Sequence, residues 1–340
     1  MHYFCTYFDK NYIPRGLALY YSIQRNIPDF KLWILCMDDP TFLLLKELNL
    51  PNIDLLSLNE FEKNDPELLA AKSNRSLMEY YWTCTPSLPL YILEHESEIE
   101  RIFYIDADHF FFDDPTAVFK EAGEASIMVI EHRFPALLQH LAKVVGKYNV
   151  GFLGFRKDEQ GMGCLHWWRE RCLEWCYYRH EDGKFGDQKY LDRWPEMFPN
   201  LVVLQHPGFG LAPWNLKRFN VQVSNKCKVF VDEQPLILYH FHGIKQAGPC
   251  LYGVGELQRI SFKVRQFIYK PYLKCLIETA EKATSFATEN ISVFSSLKND
   301  GPNERQPYFK QCRRSLSRFL RISINLIKGK YLIIYGKNIF

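Results

Sequence analysis

Asp106 and Asp108 in RIFYIDADHFFF, residues 101–112, close an apolar run whose neighbours belong in a protein core. A carboxylate taken out of water costs several kcal/mol unless a positive charge compensates it. In an extended segment alternate side chains share a face, so the two carboxylates are expected to point the same way, about 7 Å apart, with Ala107 turned opposite. A hard divalent cation is the natural compensation, because Mg²⁺ or Mn²⁺ takes oxygen ligands and is held by one or two carboxylates together with substrate phosphates. The plainer reading, acidic residues that cap a strand before a turn, needs no ligand.

A second apolar strand, in LILYHFHGIK (236–245), ends in His240 and His242 and is followed by Gly243 and Lys245. An imidazole can complete the coordination of Mn²⁺, a glycine lets backbone approach a phosphate, and a lysine supplies a point charge for it. A strand histidine standing alone is more often a hydrogen-bonded core residue. In RCLEWCYYRH (171–180), Cys172, Cys176 and His180 fall at helical spacing. A zinc site would need a fourth ligand, and Trp167, Trp168 and Trp175 around them favour packing.

These residues need a scaffold, and the chain supplies one. Apolar runs at 2–8, 31–38, 52–58, 101–108 and 126–132 alternate with helical stretches at 12–26, near 59–72, 77–96 and 114–122. Such alternation predicts a parallel sheet covered by helices on both faces. Beyond about residue 145 the order becomes mixed: a strand at 148–156, a helix over 158–180, a short helix at 187–194, then strand, turn and strand over 228–243. In open parallel sheets ligands sit beyond the carboxyl ends of the strands, which is where Asp106 and Asp108 stand.

At this point the sequence resembles the GT-A nucleotide-sugar glycosyltransferases, most closely glycosyltransferase family 8, the glycogenin-like and lipopolysaccharide galactosyltransferase-like enzymes. The resemblance spans roughly residues 3–250 and rests on motifs in order: CTYFDKNYIPRGLALYYSI as opening strand, nucleoside loop and first helix, FYIDAD as the D-x-D strand, YNVGFLGF as the N-x-G strand, GDQKYLD as the D-Q helix start, and HFHGIK as the late H-x-x-G-x-x-K motif. It implies a GT-A fold, a Rossmann-like mixed sheet flanked by helices with a C-terminal helical extension. It also implies Asp106, Asp108 and His240 as metal ligands, with Ala107, Gly243 and Lys245 at the diphosphate. Thr6, Tyr7, Asp9 and Tyr12 would surround base and ribose, Asn149 and Gly151 would line the donor site, and Asp187 and Gln188 would face the transferred sugar as catalytic residues. The late motif has one residue fewer before its lysine than the family pattern, which weakens Lys245. Where the family has an arginine near the donor phosphates this chain has WTCT, leaving Lys72 and Arg75 as substitutes, with a solvated helix face as the other reading. His132 and Arg133, at the end of another strand, are candidates for contact with donor or acceptor sugar.

The implied activity is transfer of a sugar from a nucleotide diphosphate donor, expected to be a uridine diphosphate sugar, to a saccharide or lipid-linked saccharide, with Mn²⁺ or Mg²⁺ and with retention of configuration. Its setting would be polysaccharide or lipopolysaccharide synthesis. A sugar-1-phosphate nucleotidyltransferase and a catalytically silent nucleotide-sugar-binding protein are the alternatives; the first ordinarily shows a glycine-rich, basic loop after the first strand, and YFDKNYIPRG is poor in glycine.

A net charge of +3 over 340 residues gives no argument for nucleic acid. The N-terminus lacks the pattern of a signal peptide, no apolar run is long enough to span a bilayer, and most of the ten cysteines lie in apolar runs, so a reducing, cytoplasmic setting is expected. Residues 1–250 are read as the catalytic domain, with a nucleotide-sugar half to about 125 and a sugar and acceptor half from about 126. A helical extension follows over 251–291, then a linker over 292–307 and a basic amphipathic tail over 308–340. No acidic residue follows Glu304. Leu316, Phe319, Leu320, Ile324 and Ile327 oppose Arg314, Arg318 and Arg321 at helical spacing, which suits either peripheral contact with an anionic membrane or packing on the domain.

Overall fold

The computed structural model describes residues 1–248, 251–254, 260–286, 331–335 and 338–339. Four apolar segments form parallel strands, β1 (His2–Phe8), β2 (Phe30–Cys36), β3 (Ile53–Ser57) and β4 (Arg101–Ile105), in the order β3-β2-β1-β4. Alternation along them feeds two cores. Phe4 and Phe103 pack on one face with Leu17 and Ile23, while Cys5 and Tyr104 pack on the other with Leu88 and Trp168. Burying one such aromatic or aliphatic side chain stabilises the fold by roughly 1.5–3 kcal/mol.

The first face is covered by α1 (Ile13–Asn26), which enters through Pro14 in its first turn. At the sheet's far edge α2 (Asp39–Leu48) is capped by Asp38, whose carboxylate accepts from Thr41 N at 3.0 Å. The second face carries α3 (Leu77–His95) and α4 (Glu159–Glu174). A reciprocal Ser76–Glu79 capping box starts α3. Two prolines, Pro86 and Pro89, lie inside it, each removing one backbone donor, and both are buried.

Past β4 the chain turns at Asp106–Asp108 into β5 (His109–Phe111). The main sheet then becomes mixed: β7 (Tyr148–Arg156) lies antiparallel between β4 and β6 (Ile127–Glu131), and β8 (Leu201–Val203) closes the edge parallel to β6. A small second sheet holds β9 (Phe209–Leu211), β13 (Leu238–His240) and β5, with β13 in the middle. A meander of β10 (Val221–Val223), β11 (Val229–Val231) and β12 (Gln234–Pro235) precedes β13.

Several expectations change in detail. Asp106 and Asp108 are residues of a turn, closed by His109 N donating to Asp106 O at 3.1 Å, and not of one extended strand. The helix expected over 158–180 stops at Glu174, because Trp175 goes extended and is buried. Cys172 and Cys176 are buried while His180 is exposed, so the three share no face. The stretch near 59–72 splits where Asp65 caps a new helix at Pro66. Residues 251–253 are the strand β15 (Leu251–Gly253), paired with β14 (Lys245–Gly248) and β16 (Tyr331–Tyr335); helix resumes from Phe262 and runs through α5 (Lys270–Phe286). The linker over 292–307 and the amphipathic segment over 314–327 lie outside the described residues. Among the described residues no helix is long and apolar enough to cross a membrane.

Candidate metal centre

Strand order reverses at β1: the chain leaves it toward β2 on one side and returns through β4 on the other. A crevice at the carboxyl ends of the strands is the geometric consequence. Asp106 follows β4 there, and β13 ends there in His240. His240 Nε2 lies 3.0 Å from Asp108 Oδ1 and 3.9 Å from Asp106 Oδ2. His240 is also the register partner of His109 across the antiparallel β5–β13 pair, and their rings are 4.0 Å apart. Asp106, Asp108, His109 and His240 each offer one ligand atom within 4.8 Å of the others. It is the one such cluster among the described residues.

The turn is pinned from several sides. Phe241 N donates to Asp108 O at 2.8 Å, Asp106 N to Gly151 O at 2.9 Å, and the Tyr104 hydroxyl to Asp106 Oδ1 at 2.7 Å. Gly151 is placed so that an added Cβ would stand 2.6 Å from Asn149 Oδ1, 2.7 Å from His109 Cε1 and 2.9 Å from His240 Cε1. Only a residue without a side chain leaves room for both imidazoles.

Electrostatics follow from enclosure. Burial raises the carboxyl of Asp106 above its ordinary range, against the pull of His240. Burial also opposes ionisation of Asp108, yet the charge and hydrogen bond of His240 outweigh it and hold that carboxyl well below the usual range. His240 is raised in turn, its desolvation more than offset by Asp108. Two acids and an imidazole thus share a proton-like charge at a spot where a cation would do the same work. Two carboxylates, imidazoles and a cleared cradle fit a divalent ion.

Beside the cluster opens a cleft of about 520 Å³. Of the residues expected at the site, Tyr7, Asp106, Asn149, Asp187, Gln188 and His240 line it, as does His132. Asn149 Nδ2 and Val150 N both donate to Gln188 Oε1, at 3.1 and 3.2 Å, while Gln188 Nε2 donates to Val145 O at 2.8 Å. Burial pushes Asp187 up to about 7, with the Thr85 hydroxyl opposing and the charge of Asp106 adding. Its carboxyl is therefore shifted toward the neutral form. Tyr7 hydrogen-bonds Thr85 at 3.1 Å. Tyr12 is close enough to Asp108 for that charge to act on its hydroxyl, and Asp9 organises the loop between them, accepting from Asn11 N at 2.9 Å. Gly243, with φ 76° and open space where a Cβ would go, leads to exposed Lys245 beside His242.

Other expected residues are placed elsewhere. Thr6 is fully buried within β1, and its hydroxyl has no hydrogen-bond partner. Lys72 pairs with Glu62 at 2.6 Å and lies over the Tyr80 ring. Arg75 stacks on Tyr177 and donates to Leu173 O at 3.0 Å, satisfying a carbonyl left free at the end of α4. Neither cation lines the cleft. Arg133 is buried and donates to the carbonyls of Leu204, His206 and Phe209, holding that loop instead of a sugar.

Sequence reasoning missed His109, because an extended D-A-D-H would turn it away from Asp108; the turn brings it back. It also missed Trp82, Tyr178, Phe185 and Trp214, which line the cleft. Trp214 sets its ring edge-on to His240, 5.2 Å between centroids, and donates its indole N–H to His132 O at 3.0 Å. These aromatics come from three separate stretches of the chain and share no motif.

No family model matches the chain. It is 33% identical over 282 residues to the uncharacterized protein YfnF of Bacillus subtilis (strain 168), covering 80% of this chain and 91% of YfnF. It is 31% identical over 273 residues to the uncharacterized protein YfnD of the same organism, covering 79% of this chain and 87% of YfnD. Among solved structures it is similar to the galactosyltransferase LgtC in complex with donor and acceptor sugar analogs, with a TM-score of 0.51 at 13% identity over 81% of this chain and 95% of LgtC. That likeness is one of fold, and the fold is the expected one: a mixed, largely parallel sheet flanked by helices, of GT-A type.

Proposed function

From the fold and the geometry of the cleft we propose that this chain, which belongs to one family with YfnF and YfnD of Bacillus subtilis, is a metal-dependent glycosyltransferase. The donor is a nucleotide diphosphate sugar, with uridine diphosphate as the carrier; the acceptor is a saccharide or a lipid-linked saccharide, and configuration is retained. The observation that carries this reading is the convergence of Asp106 and Asp108, from the turn after β4, and His240, from the end of β13, on one point at the cleft floor.

Asp106, Asp108 and His240 would hold a divalent ion, Mn²⁺ or Mg²⁺, which supplies charge stabilisation for a departing diphosphate. The rest is done by the chain itself. Gly243 exposes backbone, and Lys245 adds a positive charge at the mouth. Tyr7, Asp9 and Tyr12 form the wall assigned to the nucleoside. Gln188, fixed by three hydrogen bonds, is held in position to orient the transferred sugar. Asp187, buried in the cleft with its carboxyl raised above the ordinary range, is placed to orient the transferred sugar and, as carboxylate, to stabilise positive charge that develops on the ring. We assign donor binding to about residues 1–125 and the sugar and acceptor surface to about 126–250.

Incubation with Mn²⁺ and a panel of nucleotide sugars tests the proposal. Release of nucleoside diphosphate supports it. Release of pyrophosphate would mark a nucleotidyltransferase, and binding without turnover a silent nucleotide-sugar-binding protein.

A further inference from the structure

We infer that His109 is a fourth protein ligand of the metal centre, and that its imidazole contributes more to the affinity for Mn²⁺ than to that for Mg²⁺. This rests on the metal reading above and deepens it.

Position comes first. His109 opens β5 directly after the Asp106–Asp108 turn and lies opposite His240 in the antiparallel register. Directly opposed residues hold their Cβ atoms about 4.5–5.5 Å apart on one face of a sheet, so the two rings are delivered together to the carboxylates by backbone pairing alone. The ligand atoms of one ion, at bond lengths near 2.1 Å, stand at most about 4.3 Å apart. Those of the four side chains lie within 4.8 Å, so closing them on one ion asks for shifts of roughly a few tenths of an ångström per side chain.

Orientation is the second argument. His109 Nδ1 lies 3.2 Å from Asp106 O. A carbonyl can only accept, so Nδ1 carries the proton and Nε2 keeps its lone pair. A ring nitrogen donating to a backbone carbonyl while the other faces the ion is the arrangement that fixes tautomer and direction in ligating histidines. The third is room. Gly151 backs both imidazoles where any Cβ would stand 2.7 Å from one ring and 2.9 Å from the other. Finally, His109 is 1% exposed and is followed by buried Phe110 and Phe111. A phenylalanine or valine would suit that surrounding without the desolvation cost of an imidazole.

The choice of ion follows from the donor set. Mg²⁺ is hard, prefers oxygen and gives up water reluctantly; imidazole suits first-row transition ions. A second imidazole in place of an oxygen ligand therefore favours Mn²⁺ over Mg²⁺ further.

The test is a binding measurement on the full chain without donor. Mn²⁺ affinity is read from the electron paramagnetic resonance of the free ion, and Mg²⁺ affinity by competition, for the wild type, His109→Val and the more conservative His109→Gln. Coordinated imidazoles are counted from nitrogen couplings to bound Mn²⁺ in spin-echo spectra. Expected are couplings from two imidazoles in the wild type, a roughly 10–100-fold loss of Mn²⁺ affinity in both variants, and a much smaller change for Mg²⁺. A single-imidazole spectrum in the wild type overturns the inference whatever the variants do. So does unchanged Mn²⁺ affinity in both folded variants. Asp106→Ala separates the two levels: if it abolishes Mn²⁺ binding while the His109 variants keep it, only the fourth ligand falls; if Asp106→Ala also binds normally, the metal reading itself falls.

Discussion

At the scale of single residues, the site depends on what is missing from one and on what is neutral in another. Gly151→Ala would drive a methyl group into Asn149 and both imidazoles. It is expected to lower Mn²⁺ affinity by about tenfold or more while costing about 1–3 kcal/mol of stability by overpacking; titration calorimetry and urea unfolding measure the two separately. His132 offers a pH test. Burial holds it down to about 4 from an ordinary 6.5. The unfolded chain therefore binds this proton first, and stability falls as pH drops from about 6.5 toward 4, by on the order of 3 kcal/mol. The same window should be flatter in His132→Phe. An equal loss of unfolding free energy between pH 7 and 4.5 in the two proteins, measured by denaturant unfolding, would contradict a neutral buried imidazole. Of the single residues, Asp106, Asp108 and His240 were legible because each ends an apolar run, where an ionisable group has to be explained. His109 was not, since its direction depends on a turn that the run of apolar residues conceals.

At the scale of elements, the order of strands and helices through residue 156 was readable from periodicity, because buried parallel strands are continuous apolar runs and their helices are amphipathic. The D-x-D stretch was misjudged for the same reason: RIFYIDADHFFF is apolar enough to be one strand, yet Asp106–Asp108 is a turn between two sheets. Lys72 and Arg75 show a second limit. Their sequence position recommended them for phosphates, whereas Glu62 and the carbonyl end of α4 claim them. Glu62 meets Lys72 only because the stretch near 59–72 breaks at Asp65, and Leu173 lies 98 residues from Arg75, so neither contact could be seen. Arg75→Ala is accordingly expected to cost about 1–3 kcal/mol through lost hydrogen bonding and stacking on Tyr177, read as a lowered urea midpoint, with donor KM essentially unchanged. A tenfold rise in KM without destabilisation would return Arg75 to the donor site.

At the scale of the whole molecule, the fold's contribution is to set two chain segments more than a hundred residues apart on one crevice floor. The Asp106–Asp108 turn comes from the main sheet, and His240 from the middle strand of the small one. The aromatic wall beyond them, with Trp82, Tyr178, Phe185 and Trp214, is assembled from loops and helices that meet only after folding, which is why the carboxylates and imidazole of the floor were readable from sequence and this wall was not. The most direct test of a metal bridging protein and donor is calorimetric titration with uridine diphosphate, run with Mn²⁺ and again with EDTA, on the wild type and on Asp106→Ala and Asp108→Ala. Binding that needs the metal in the wild type, and is lost in both variants with metal present, is the expected result. Equal affinity in EDTA, or full affinity in either variant, would contradict it.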